Sequence, residues 1–149
     1  MKIIRRSNSR DLKEILKLLN SSPELIGDKS QPYTEDMVKE YLTNKNFNIF
    51  IYEIDKKIIG FVIAQFWKKA RYIYIFDIFI KKEYRRKGIA TKLMNYIEDT
   101  AKKSKMNLIY CHVHKKNINM QALLNKNKYN SGEESIYYSK TLKCHKKNT

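Results

Sequence analysis

Acidic residues, cysteine, glycine and proline are all scarce in this sequence. Its two cysteines, Cys111 and Cys144, among 149 residues offer no disulfide framework, so the fold must be held by a buried core, which a chain of this length can build as one domain. Four glycines and two prolines are too few for a flexible linker, and no repeat or low-complexity stretch divides the chain. The expectation is a single domain over 1–143 followed by a basic disordered tail over 144–149. No apolar run reaches the roughly 18 residues a membrane helix needs. Met1-Lys2-Ile3-Ile4-Arg5-Arg6 passes into a polar stretch rather than a signal-peptide segment, so a cytoplasmic protein with no membrane partner is expected.

Lys and Arg number 31 against 15 Asp and Glu, giving a formal charge of +16. Such an excess fits a nucleic-acid surface, attraction to a polyanionic cofactor, or biased residue usage. Lys, Asn and Ile are abundant along the whole chain, which favours a generally solvated surface over a dedicated nucleic-acid face.

Ile3 and Ile4 begin a strand, and Asn8 or Ser9 caps a helix carrying Leu12, Ile15, Leu16, Leu18 and Leu19 at helical spacing. Pro23 to Pro32 reads as a loop. Thr34 caps a second helix, with Glu35 and Asp36 at its positive end and Met37, Val38, Tyr41 and Leu42 on its buried face. Phe47 to Ile54 and Ile58 to Trp67 form a hairpin around Asp55-Lys56-Lys57, and Tyr72 to Ile80 is a third β-rich run. Ile89, Leu93, Met94, Ile97 and Ala101 then share one helical face. A strand over Asn107 to His114, a helix over Asn117 to Asn127 and a last strand over Ser135 to Leu142 complete the order. This argues an α/β fold, a mixed central sheet with helices on both faces, in which Tyr72 to Ile80 and Asn107 to His114 are parallel strands joined by a right-handed crossover.

The chemistry-bearing stretch runs from Asp77 to Met94. A strand ends, a basic turn Arg85-Arg86-Lys87 follows, and a helix begins at Gly88. The first helical amides have no intrahelical acceptor, the helix dipole adds about half a positive charge, and a glycine admits a phosphate to the backbone. The turn is therefore expected to be an anion site, the alternative being a solvated basic turn with a glycine.

Here the sequence resembles the GNAT superfamily of acetyl-CoA-dependent N-acetyltransferases. The family's pyrophosphate motif, Arg or Gln, two residues, Gly, one residue, Gly or Ala, is matched by Arg85, Gly88 and Ala90. Asn117 stands where a family Asn contacts the coenzyme, and Lys128-Tyr129 stands where a Gly-Phe pair usually lies. The resemblance implies a V-shaped splay between the two parallel strands and acetyl-CoA as cosubstrate. It also implies coenzyme contacts from Phe79, Ile80, Arg85, Arg86, Lys87, Gly88, Ile89, Ala90, Thr91 and Asn117. The thioester carbonyl and pantetheine arm would lie along the Tyr72 to Ile80 strand, with a backbone donor at Ile78.

Attack of an amine on a thioester needs a neutral nucleophile, a donor for the developing oxyanion and a fate for the thiolate. Asp77 matches the position of an acidic residue that accepts the amine's proton in many relatives; a structural Asp hydrogen-bonded to a loop or a Tyr is the equal alternative. Glu53 is a weaker candidate. Many relatives place a proton-donating Tyr where Leu124 stands, with Tyr110, Tyr137 and Tyr138 as substitutes on neighbouring strands. No metal is expected, because strand alternation sets Cys111 on the opposite face from His112 and His114.

The resemblance implies an amine acceptor, either a small molecule or a protein N-terminus or lysine; the alternative is a non-catalytic acetyl-CoA-binding or nucleic-acid-binding module. Glu24, Asp28, Glu35 and Asp36 either line an acidic mouth for a cationic amine or serve as helix-start acids, the latter being favoured. An exposed edge at the last strand suits a homodimer.

Overall fold

The computed structural model describes residues 1–22, 32–140 and 142. The expected tail, Glu24, Asp28 and most of the Pro23 to Pro32 loop lie outside these. The elements are β1 (Lys2–Arg6), a 3-10 turn (Ser9–Asp11), α1 (Leu12–Asn20), α2 (Glu35–Thr43), β2 (Phe47–Ile54), β3 (Lys57–Trp67), β4 (Tyr72–Ile80), a second 3-10 turn (Lys82–Tyr84), α3 (Ile89–Lys103), β5 (Leu108–Tyr110) and α4 (Ile118–Lys126). The strands form one sheet in the order β1-β2-β3-β4-β5, antiparallel except for β4 with β5.

Local chemistry sets the element boundaries. The Asn8 side chain accepts from the Arg10 N–H, and the Asp11 carboxylate accepts from the Asn8 N–H, opening the first helical stretch. Thr34 Oγ1 accepts from the Met37 N–H at 3.3 Å and starts α2. The β2–β3 hairpin turns on Asp55 and Lys56, whose φ values of 46° and 63° are both left-handed, the condition for a two-residue loop that matches strand twist.

Helices cover both faces of the sheet. On one face Ile15, Leu19 and Val38 of α1 and α2 bury against Ile49, Ile51, Phe61 and Ile63. On the other, Leu93, Met94 and Ile97 of α3 bury against Phe50, Val62, Ile73 and Ile75. Each such side chain contributes about 1.5–3 kcal/mol relative to exposure, so the two layers outweigh any single polar contact. Glycine matters at Gly60, where an added Cβ would lie 2.6 Å from the Phe79 carbonyl oxygen. Its absence lets β3 and the end of β4 approach.

Alternation along β4 breaks at Phe76. Ile63 pairs with Asp77 and Ala64 with Ile75, leaving Phe76 as the extra residue of a β-bulge. Ile73 and Ile75 before it, and Ile78 and Ile80 after it, pack with the α3 layer. Phe76 meets Phe47 and Tyr41, and Asp77 meets Tyr33. Two consecutive side chains therefore face α2.

Two expected strands need correction. The strand expected over Asn107 to His114 is only Leu108–Tyr110, because pairing with β4 ends at Tyr74 with Tyr110 and residues 111–114 have no ladder to join. The last strand, expected over Ser135 to Leu142, does not form at residues 135–140 or at 142, and Ile136, Tyr137 and Tyr138 are exposed. A three-residue neighbour offers little edge to pair with, so residue preference alone does not make a strand.

Candidate active site

The V-shaped splay follows directly from the short β5. Beyond Tyr74 the strand-edge groups of β4 that face β5 have no strand partner among the described residues. Ile78, Phe79 and Ile80 lie on this unpaired stretch. Buried main-chain amides and carbonyls require partners, and a peptide-like ligand laid along such an edge supplies them. The Ile80 carbonyl already accepts from Arg85 Nε at 2.9 Å, latching the basic turn to the end of β4.

That turn delivers the chain to α3. Arg86 and Gly88 have φ values of 63° and 74°, and Gly88 is the N-cap of α3 with no side chain to satisfy the first-turn amides. Space above Gly88 is open, since nothing lies within 4 Å of an added Cβ. Arg85, Arg86 and Lys87 are exposed around this opening, Ala90 and Thr91 half-buried, and Ile89 buried as the anchor of the first turn. The amides of residues 89–91 and the neighbouring charges therefore fit a pyrophosphate. Beside this turn a cavity of about 310 Å³ is lined by Lys2, Tyr52, Ile54, Tyr84, Lys87, Ile89 and Lys92. It opens on the α3 side of the sheet, the opposite side from Asp77.

Asp77 is half-buried, and Tyr33 donates its hydroxyl to Asp77 Oδ2 at 2.7 Å. Burial pushes the Asp77 carboxyl above the ordinary carboxylate range, while the Tyr33 hydrogen bond partly opposes the rise. Burial, reinforced by the Asp77 charge, raises the Tyr33 hydroxyl, so it remains a donor at neutral pH. Tyr41 is raised for the same two reasons. A hydrogen bond from a Tyr is what the structural alternative for Asp77 expected, but which tyrosines stand beside it was not read, because spacing carries no signal of a contact spanning 44 positions.

The remaining candidates take other places. Glu53 Oε2 accepts from Arg5 at 2.7 Å, and Arg5 also grips Asp11 through two bonds of 2.8 Å, so Glu53 is committed to an ion-pair network. The Asn117 side-chain oxygen caps α4 by accepting from the Met120 N–H. Leu124 packs toward the α3 layer. Tyr110 lies tilted against Tyr74, with ring centroids 5.0 Å apart, whereas Tyr137 and Tyr138 are exposed. Lys128 has a φ of 62° directly after α4, and the amides of Lys128 and Tyr129 close the helix on the Asn125 and Leu124 carbonyls. Glycine suits this left-handed closing position.

The Acetyltransferase (GNAT) family model matches residues 12–129, taking in β4, the basic turn and α3. This chain belongs to the GNAT family of acetyltransferases. No curated protein sequence matches the GNAT chain described here. Solved structures share its fold. The aminoglycoside acetyltransferase AAC(6')-Iy in complex with the bisubstrate analogue CoA-S-monomethyl-acetylneamine superposes with a TM-score of 0.80 at 17% identity, over 95% of this chain and 99% of that one. The aminoglycoside acetyltransferase meta-AAC0020, from an uncultured soil metagenomic sample and in complex with sisomicin, gives 0.79 at 18% identity over 95% and 97%. A ribosomal-protein-alanine N-acetyltransferase from Brucella melitensis biovar Abortus 2308 gives 0.78 at 18% identity over 94% and 99%. No helix among the described residues is long and apolar enough to cross a membrane.

Proposed function

We propose that this acetyltransferase moves the acetyl group of acetyl-CoA to a primary amine by direct attack in a ternary complex. The observation carrying this reading is the continuity of one short segment. Within β4 and the turn after it, a half-buried carboxylate at Asp77, an unpaired strand edge over Ile78 to Ile80 and an open helix N-terminus at Gly88 follow one another. Carboxylate, carbonyl donor and pyrophosphate cradle are thus in the order the thioester chemistry needs.

In the proposed reaction the pyrophosphate rests on the amides of residues 89–91 with Arg86 and Lys87 beside it. Asn117 offers the coenzyme its Nδ2 group, while its oxygen accepts from the Met120 N–H as the helix cap. The amine nitrogen attacks the thioester carbonyl carbon while the Ile78 backbone amide supports the oxyanion. Asp77 accepts the proton lost by nitrogen, directly or through one water. The C–S bond breaks and the coenzyme leaves as thiolate, which a thiol pKa of about 8.5 permits near neutral pH. Leu124 cannot protonate it, and a missing general acid costs about 10²-fold or somewhat more.

The fold-mates act on aminoglycosides or on a ribosomal protein's alanine by their names, so a small amine and a protein amine are both proposed acceptors. The test is calorimetric titration with acetyl-CoA followed by thiol release against a panel of amines and peptides. Micromolar binding with release is expected; absence of binding overturns the proposal.

A further inference from the structure

The geometry points to an aromatic acceptor floor, built by the β4 bulge, that selects a primary amine carried on a flat apolar or aromatic body over polycationic amines. This inference rests on the amine-acetylation reading above.

A regular strand would send Phe76 and Asp77 to opposite sides of the sheet. The bulge instead sets both on the α2 side, so an amine reaching the Asp77 carboxylate passes over the Phe76 ring. That ring is 40% exposed although large and apolar, and it is therefore reachable. It does not stand alone. Tyr74 meets it edge-on with centroids 4.7 Å apart, Phe47 lies at 5.5 Å and Tyr41 at 6.3 Å. Tyr74 continues to Tyr110 at 5.0 Å. The result is a continuous aromatic surface that starts at the proposed proton acceptor and follows the parallel strands.

Such a surface binds an ammonium group through ring faces and stacks a flat body beside it. A polycation needs several carboxylates instead, and three on the α1 side of the sheet are committed elsewhere. Glu53 and Asp11 are tied to Arg5, and Glu14 to Lys81. Asp77 acts on the floor at Tyr41 and Tyr74, and Glu40 of α2 adds its charge at Tyr41.

The test is thiol release at saturating acetyl-CoA with 2-phenylethylamine, spermidine, kanamycin and an alanine-initiated peptide. We expect kcat/KM for 2-phenylethylamine to exceed that for each of the others at least tenfold. Phe76→Ala should reduce this preference about tenfold through KM while leaving acetyl-CoA affinity alone. Phe76→Leu, which keeps bulk and protects the fold, should still lose several-fold because the ring face is gone. A merely structural Phe76 would lower all rates together and leave the preference intact, and that result overturns the inference. Faster turnover of spermidine, kanamycin or the peptide also overturns it, with the acetyltransferase reading standing. Absence of acetyl-CoA binding overturns both.

Discussion

The Tyr33 hydroxyl donates to Asp77 Oδ2 at 2.7 Å, joining the residue just ahead of α2 to the bulge of β4. Burial raises the Asp77 carboxyl and this bond holds it down. If Asp77 is the proton acceptor, kcat/KM rises with pH through a limb above the ordinary carboxylate range. Tyr33→Phe removes the restraint, so the limb should move to higher pH. Asp77→Asn should remove the limb and lower turnover chiefly at neutral pH, with acetyl-CoA affinity unchanged. An immobile limb in Tyr33→Phe would falsify the assignment.

Gly88 offers a clean separation of binding from folding, because its α-carbon faces open space. Gly88→Glu places a carboxylate where a pyrophosphate is proposed and strains a φ of 74°. Calorimetry should show acetyl-CoA binding lost, while the circular-dichroism spectrum stays nearly unchanged. Unaltered affinity would refute the anion-site assignment.

Lys128 occupies a left-handed position at the close of α4. Lys128→Gly should raise stability by about 1 kcal/mol, the usual cost of that conformation for a residue with a Cβ. Urea denaturation measures the gain. A loss would mean that the greater freedom of glycine in the unfolded chain outweighs the relief.

Arg5 holds two carboxylates together, with Asp11 nearly buried. Burial pushes the Asp11 carboxyl up, but hydrogen bonds from Arg5 and the Asn8 N–H, with the Arg5 charge, bring it below the ordinary value. The sign follows: this stabilisation is present above the unfolded carboxylate value and lost as pH falls through the depressed folded one. Asp77, raised in the fold, has the opposite slope, contributing most at acid pH and losing its contribution as pH rises through its folded value. Arg5→Ala should cost about 2 kcal/mol, allowing for the partial exposure of the pair. It should also weaken the acid-side loss, since only the Asn8 N–H then opposes burial at Asp11. Urea titrations at several pH values check both effects.

Periodicity and caps were enough to read most elements. Thr34 ahead of α2 and the Ile89 to Ala101 stripe of α3 are local signals, and local signals survive in sequence. The basic turn before Gly88 was legible for the same reason, because a run of cations ahead of a helix-capping glycine is a local device. Glu53 was less legible, since the Arg5 that occupies it lies 48 positions away, whereas the Asn117 cap on the Met120 N–H is local and was not read.

What the sequence determined by itself, then, was the succession of helices and strands as far as α4, the two apolar layers and the place of the basic turn at Gly88. These depend on neighbours within a helical turn or a strand. Only the tertiary structure decided where β5 parts from β4, that Ser135 to Leu142 lacks a partner strand, and which way Phe76 and Asp77 face. A bulge exists only between two strands: one unpaired residue in β4, set against β3, turned two neighbouring side chains to the same side and brought Tyr33 to Asp77.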